Sequence, residues 1–235
     1  MKRSAWQRLP GGVRALLPGL VISALALWGF IEILDEVLEN EAFKPLDQPL
    51  LEWLAERRSP ALTTIMTVVT NIFGPVLLPV LIAVGAAAWG WRARKWVDPA
   101  LLVGAMVAST AISMLVKTLI GRARPEESFQ LTPGLEESFS FPSGHTTGAA
   151  TLVLVTAYLA WRGRRSTRAL IAWTVGAAAT LVLVGGSRLY LGYHFLSDVL
   201  AGACVGLLVL GLVMCVDRSL ALRSGAAPGT TGSYE

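Results

Sequence analysis

Residues 15–31, 59–91, 99–116, 138–161, 169–187 and 199–216 contain no aspartate, glutamate, lysine or arginine. A helix crosses the hydrocarbon core of a bilayer with about 20 mostly apolar residues, because that core is about 30 Å thick. Each stretch is therefore read as a span. The second is long enough for one span plus an entry segment, and the helical part of the fourth is expected to start near Ser143. The stretches are rich in alanine and leucine and lack the period-two alternation of a lipid-facing strand. The fold class expected is all-α, a six-transmembrane-helix bundle over residues 15–218. Residues 1–14 form a cytoplasmic N-terminal segment and 219–235 a cytoplasmic tail, disordered where Gly, Ser, Thr and Pro dominate. Composition agrees: 54% of the residues are hydrophobic and only 15% charged, where a soluble domain carries about 25% charged. That balance excludes a disordered chain and a coiled coil, and argues against a soluble enzyme.

Small residues recur inside the stretches at 85–88, 176–179 and 201–203. In lipid, helices associate by close packing, which small residues permit, so a bundle is expected rather than separate anchors. The two cysteines, Cys204 and Cys215, share one span and stand about 16 Å apart along a helix, beyond disulfide reach. A basic start, an apolar run and Ala24-Leu-Ala26 have the composition of a cleaved leader. The apolar run continues past that point, and residues 15–31 are read as the first span.

The charged residues give an orientation. With a cytoplasmic N-terminus, Lys2, Arg3, Arg8, Arg14, Arg92, Arg94, Lys95, Arg162, Arg164, Arg165, Arg168, Arg218 and Arg223 lie inside. Lys44, Arg57, Arg58, Lys117, Arg122, Arg124 and Arg188 lie outside. The excess inside follows the positive-inside rule. The formal net charge of +4 thus reports topology, and no basic-aromatic platform for nucleic acid is present. The protein is placed in the plasma (inner) membrane, both termini cytoplasmic, among membrane lipids. In the acidic outer loop 32–58, residues 46–56 suit a short helix, either lying on the lipid surface or packed within the loop. Ser59-Pro60 has the form of a helix start.

The outer cations run against the general charge bias, and four of them flank the chain's two histidines. Lys117 ends the third span, and Arg122 and Arg124 follow in Gly121-Arg-Ala-Arg-Pro125. Arg188 ends the fifth span. His145 opens the fourth in Pro142-Ser-Gly-His145. His194 precedes the sixth and stands four residues before Asp198, a spacing that places both on one face if the segment is helical. A single cation at a helix end ordinarily snorkels to the headgroups; a cluster beside both histidines points to an anion site.

Lys117…Arg124-Pro125, then Pro142-Ser143-Gly144-His145, then Ser187-Arg188…His194…Asp198 resembles the three-part signature of the type 2 phosphatidic acid phosphatase superfamily, matched without a gap or a substitution. The resemblance implies a membrane lipid phosphatase whose site opens on the extracytoplasmic face. It implies that Lys117, Arg124, Ser143, Gly144 and Arg188 bind phosphate. It also implies that His194 is the nucleophile, giving a phosphohistidine. Asp198 orients that imidazole, and His145 protonates the leaving oxygen. The chemistry suits these residue types, since guanidinium forks match phosphate oxygens and a helix start turns free N–H groups toward an anion. No cofactor is implied. No carboxylate–histidine cluster at metal-ligand spacing is present in the motifs, so activity is expected to be metal-independent.

The expected substrates are lipid phosphates: undecaprenyl diphosphate, phosphatidylglycerol phosphate or phosphatidic acid. Transfer of the phosphoryl group to a second lipid is the alternative at the same site. The soluble vanadium haloperoxidases share the signature but not the spans. A transporter, with a polar site near the bilayer midplane, fits poorly because the span interiors lack charge. Arg122 is expected just behind the phosphate contacts. Glu126, Glu127, Glu136 and Glu137, in the loop between the first two motifs, are expected on a solvated face, with a lid over the site as the other reading.

Overall fold

The computed structural model describes residues 10–39, 44–164 and 166–224. Lys2, Arg3, Arg8, Arg165 and the 225–235 part of the tail lie outside them, as do the side chains of Lys44 and Arg164. Among the described residues the chain is helical, with no strand: α1 Gly11–Glu39, α2 Lys44–Glu56, α3 Pro60–Ile72, α4 Leu77–Ala93, α5 Val97–Ile120, α6 Gly144–Arg164, α7 Thr167–Tyr190 and α8 Leu196–Arg223, with a 3₁₀ turn at Glu127–Phe129. The helices outrun the charge-free stretches. α1 continues through residues 32–39, assigned above to a loop, and α8 continues through 219–223, assigned to the tail. A charge ends an apolar window but not a helix, because charged side chains at helix ends reach the headgroups or a partner.

Four helices, α1, α5, α7 and α8, are long and apolar enough to cross a membrane, and a fifth crossing results if α3 and α4 form one span. Those two meet at 54° across the break at Phe73-Gly-Pro-Val76. Ser59 caps α3, accepting from the Leu62 N–H at 3.4 Å, and Pro60 fills its first position. α6 covers the fourth apolar stretch but is less apolar than the spans, because Gly, His and Thr fill its first turns. Its residues 146–150 are buried against other helices rather than presented outward. By length and composition alone the described residues support four or five crossings, and the six-span count is not confirmed.

α8 is the central post and packs against α1, α5, α6 and α7. Small residues make the closest approaches. A Cβ on Gly202 would stand 2.8 Å from the Ser143 carbonyl oxygen, and one on Gly206 would strike Ala150. Gly19 and Gly211 do the same between α1 and α8. Gly85 and Gly176 meet nothing within 4 Å, so two of the three small-residue stretches contribute through Ala86 and Ala177 instead. Large apolar side chains point outward, such as Val107 at 65% and Val182 at 76% exposure. Such a surface suits lipid and not water. At one end of the bundle Arg162 binds Asp98 and Asp217, and Tyr158 donates to Asp217 at 2.6 Å, joining α5, α6 and α8. The signature residues gather at the other end.

Candidate active site

Each signature residue sits where a helix starts or stops. Lys117 lies in the last turn of α5, which Gly121 ends with a left-handed backbone (φ 63°) that a side chain rarely adopts. Gly144 and His145 open α6, and Ser143 caps it: the buried Ser143 Oγ accepts from the Thr146 N–H at 3.4 Å and the Thr146 hydroxyl at 3.1 Å. Arg188 lies in the last turn of α7. His194 falls in the turn before α8 rather than on it. Asp198, in the first turn of α8, accepts from the Phe195 N–H at 2.8 Å. The two still meet, with His194 Nδ1 3.4 Å from Asp198 Oδ2, because the turn folds back on the helix start.

The three motifs are tied to one another directly. The Ser143 N–H donates to the Asp198 carbonyl at 2.9 Å. Arg124 donates to the Tyr193 carbonyl at 2.8 Å and to the Ser138 carbonyl at 2.7 Å. Lys117 donates to the carbonyls of Phe139 and Ser140. His145, half-buried, has Arg188, Glu136, Arg124 and Lys117 as its electrostatic neighbours, and its Nε2 faces Gly74 at the α3–α4 break.

The imidazole of His194 is 1% exposed and lies between unlike partners. Arg124 Nη1 stands 3.3 Å from Nε2. A guanidinium only donates, so Nε2 carries the lone pair and Nδ1 the proton, which faces Asp198 and the Ser140 hydroxyl at 3.3 Å. Burial, then Arg188, Arg124 and Lys117, push the His194 pKa well below its ordinary 6.5. The ring is thus neutral, with its unprotonated nitrogen facing the Arg124 guanidinium.

Arg188 is 1% exposed; Nη1 donates to Thr70 Oγ1 at 2.6 Å and Nη2 to Glu136, while the guanidinium stacks 4.7 Å over Tyr193. Its buried Nε has no hydrogen-bond partner among the described residues. Glu136 also takes Arg124 Nη2 at 2.7 Å. Burial raises the Glu136 pKa, but the Arg188 and Arg124 guanidiniums outweigh it and hold the carboxyl at about 2. A solvated face describes the exposed Glu126, Glu127 and Glu137 but not Glu136. A cleft of about 390 Å³ beside Arg124 and Glu136 is lined also by Arg122, Ser138 and Phe139.

A second group of residues supports Asp198 from behind. Arg122 Nη1 donates to Asp198 Oδ1 at 2.6 Å and to Ser197 Oγ at 2.7 Å, and its Nη2 reaches Asp47 Oδ2 at 2.9 Å. Asp47, 3% exposed, accepts from the Ser197 N–H at 3.0 Å and from the Ser197 hydroxyl at 2.5 Å. It thereby caps α8 from α2, which packs against α7 and α8 as a loop helix. Ser140 donates to the other Asp198 oxygen. Asp47, Thr70, Ser140 and Glu136 were not legible as site residues: they belong to no motif, and only folding brings them near. Of the outer cations, Arg58 is structural, donating to the carbonyls of Tyr190 at 3.0 Å and Phe129 at 2.5 Å.

Known proteins resemble this arrangement in sequence and in fold. Residues 98–220 match the model of the PAP2 superfamily. Phosphatidylglycerophosphatase B of Bacillus subtilis (strain 168) is 32% identical over 203 residues, covering 83% of this chain and 95% of that protein. Decaprenylphosphoryl-5-phosphoribose phosphatase of Mycobacterium tuberculosis is 32% identical over 138 residues, covering 57% of this chain and 68% of that protein. The crystal structure of a transmembrane PAP2 type phosphatidylglycerolphosphate phosphatase from Bacillus subtilis superposes with a TM-score of 0.70 at 29% identity, covering 89% of this chain and 96% of that one. With its apolar helices, and with a family match over more than half its length, this multi-pass membrane chain belongs to the PAP2 superfamily, in its membrane lipid phosphatase branch.

Proposed function

We propose that the protein hydrolyses the terminal phosphate of a lipid phosphate or diphosphate through a phosphohistidine formed on His194. One observation carries this reading: Arg124 and Arg188 converge on a single anion, the Glu136 carboxylate, directly beside the unprotonated Nε2 of His194. A phosphate seated on the same guanidiniums meets that nitrogen. Lys117, Arg124, Arg188, Ser143 and the Gly144 N–H spread the charge of the transferring phosphoryl group. His194 Nε2 attacks phosphorus, and Asp198 stabilises the imidazolium that forms. His145 protonates the leaving oxygen and then takes a proton from the hydrolytic water.

Six spans complete the reading. α3 and α4 make one bent span, and α6 makes the last, its polar start shielded by its neighbours. The positive-inside rule places both termini in the cytoplasm and the site on the outer face of the plasma membrane. Leu131, Leu135 and Phe139 stand exposed on the loop that carries Glu136. This favours a headgroup-level site whose substrate keeps its chain in lipid. Phosphatidylglycerol phosphate and a prenyl diphosphate are the favoured substrates, the first supported by likeness to the Bacillus phosphatase. Phosphate release by purified protein from a panel of these lipids and phosphatidic acid, with His194→Ala as control, tests the assignment.

Two expectations follow from the electrostatics. Three protein cations face the anion, so hydrolysis proceeds without a divalent ion. Turnover in excess chelator should equal turnover without it, and loss of activity on chelation defeats the point. The second concerns pH. His194 must be neutral to attack, and its pKa is lowered, so its neutral form persists below pH 6.5. The acid limb of kcat/KM assigned to His194 is expected below 6.5, once the substrate's own second ionisation near about 6 is allowed for. A limb above that value contradicts the tautomer and burial argument.

A further inference from the structure

The cup formed by the Arg124 and Arg188 guanidiniums already holds an anion. Glu136 spends both carboxylate oxygens on the cup, Oε2 on Arg124 and Oε1 on Arg188. Its side chain is 20% exposed and lies on the loop between the first two motifs, which has an open cleft beside it. Arg188 still keeps one buried donor, Nε, without a partner among the described residues. Resting on the phosphatase reading above, we propose that Glu136 is an internal competitor that decides which membrane anions occupy the cup: its carboxylate sits in the phosphate seat and each ligand must displace it.

The consequence follows from charge and oxygen count. A phosphodiester headgroup offers one negative charge and two free oxygens, as a carboxylate does. A tethered carboxylate acts at an effective concentration of about millimolar or above, so an equivalent anion from the bilayer gains nothing by replacing it. A phosphomonoester offers up to two charges and three free oxygens. The third oxygen has donors that Glu136 leaves unused: Arg188 Nε, and the Lys117 and Gly144 groups assigned above to phosphate. Phosphomonoesters therefore exceed the threshold that Glu136 sets, and the surrounding phosphodiester lipids do not. Because every ligand meets the same internal competitor, removing it raises the affinity of all anions by one common factor.

The test compares wild type with Glu136→Gln, using as substrate, in detergent micelles, the lipid of the panel above that wild type hydrolyses fastest. Orthophosphate and dimethyl phosphate serve as competitive inhibitors. Glutamine keeps the shape and loses the charge, so both inhibition constants should fall by about tenfold or more, and by the same factor, since charge-assisted bonds to two guanidiniums are lost. Inhibition constants that stay unchanged or rise, or that move for one anion alone, overturn the proposal. A measurement on wild type guards against a variant that does not fold. Saturating orthophosphate should speed hydrogen exchange of the amides at 135–137, as the displaced loop segment loosens. Slower or unchanged exchange there overturns the proposal. Wild type that turns over none of the panel lipids and does not bind orthophosphate removes the phosphatase reading itself, whereas turnover with unmoved inhibition constants removes only the role of Glu136.

Discussion

His194→Ala is expected to lower kcat by at least about 10⁴-fold while the bundle stays folded. The imidazole holds little of the structure together. When it is removed, Arg124 keeps the Tyr193 and Ser138 carbonyls and Glu136, and Ser140 keeps Asp198. The cations remain in place, so orthophosphate should still bind. What disappears is the unprotonated nitrogen that Arg124 faces at 3.3 Å. Phosphate release from micellar lipid phosphate, read alongside orthophosphate binding, checks both halves. Near-normal turnover in the variant sinks the assignment of the nucleophile.

Asp198→Asn should follow, with kcat lower by about 10²–10⁴-fold and KM moved far less. The carboxylate accepts on both oxygens, from Arg122 on one side and from Ser140 and the Phe195 N–H on the other. An amide has a single acceptor oxygen. Whichever way it turns, its NH₂ group faces either the Arg122 guanidinium or His194 Nδ1. In the second case Nδ1 must accept, the proton moves to Nε2, and the attacking nitrogen loses its lone pair. Asp47→Asn, one step further back, should act in the same direction at about tenfold, by loosening Arg122 and the start of α8. Steady-state kcat and KM for the three proteins provide the check. A rise in KM with kcat intact in Asp198→Asn shows a binding role instead.

The parts of this site legible in the sequence share one property: each motif is local, and each marks a helix end. Arg124, Ser143, Arg188 and Asp198 were readable because a short run of chain carries both the functional group and the turn that aims it. Spacing misled in one detail. His194 and Asp198 pair through a turn folded onto α8, not along one helical face. Asp47 and Glu136 were not readable. Asp47 reaches Ser197 across 150 residues of chain, and Glu136 shares its loop with three exposed glutamates of the same composition. Only its pairing with Arg124 and Arg188 separates it from them. Span ends failed for a related reason, since α1 and α8 run on through charged residues that an apolar window excludes.

The direct measurement is a rapid quench during turnover of a lipid phosphomonoester carrying a radiolabelled terminal phosphate. A phosphoryl group that is stable in alkali and lost in acid should appear on the peptide containing His194, and should be absent from His194→Ala. Phosphate released at the full rate with no label on the protein, or label mapped to His145, contradicts the account.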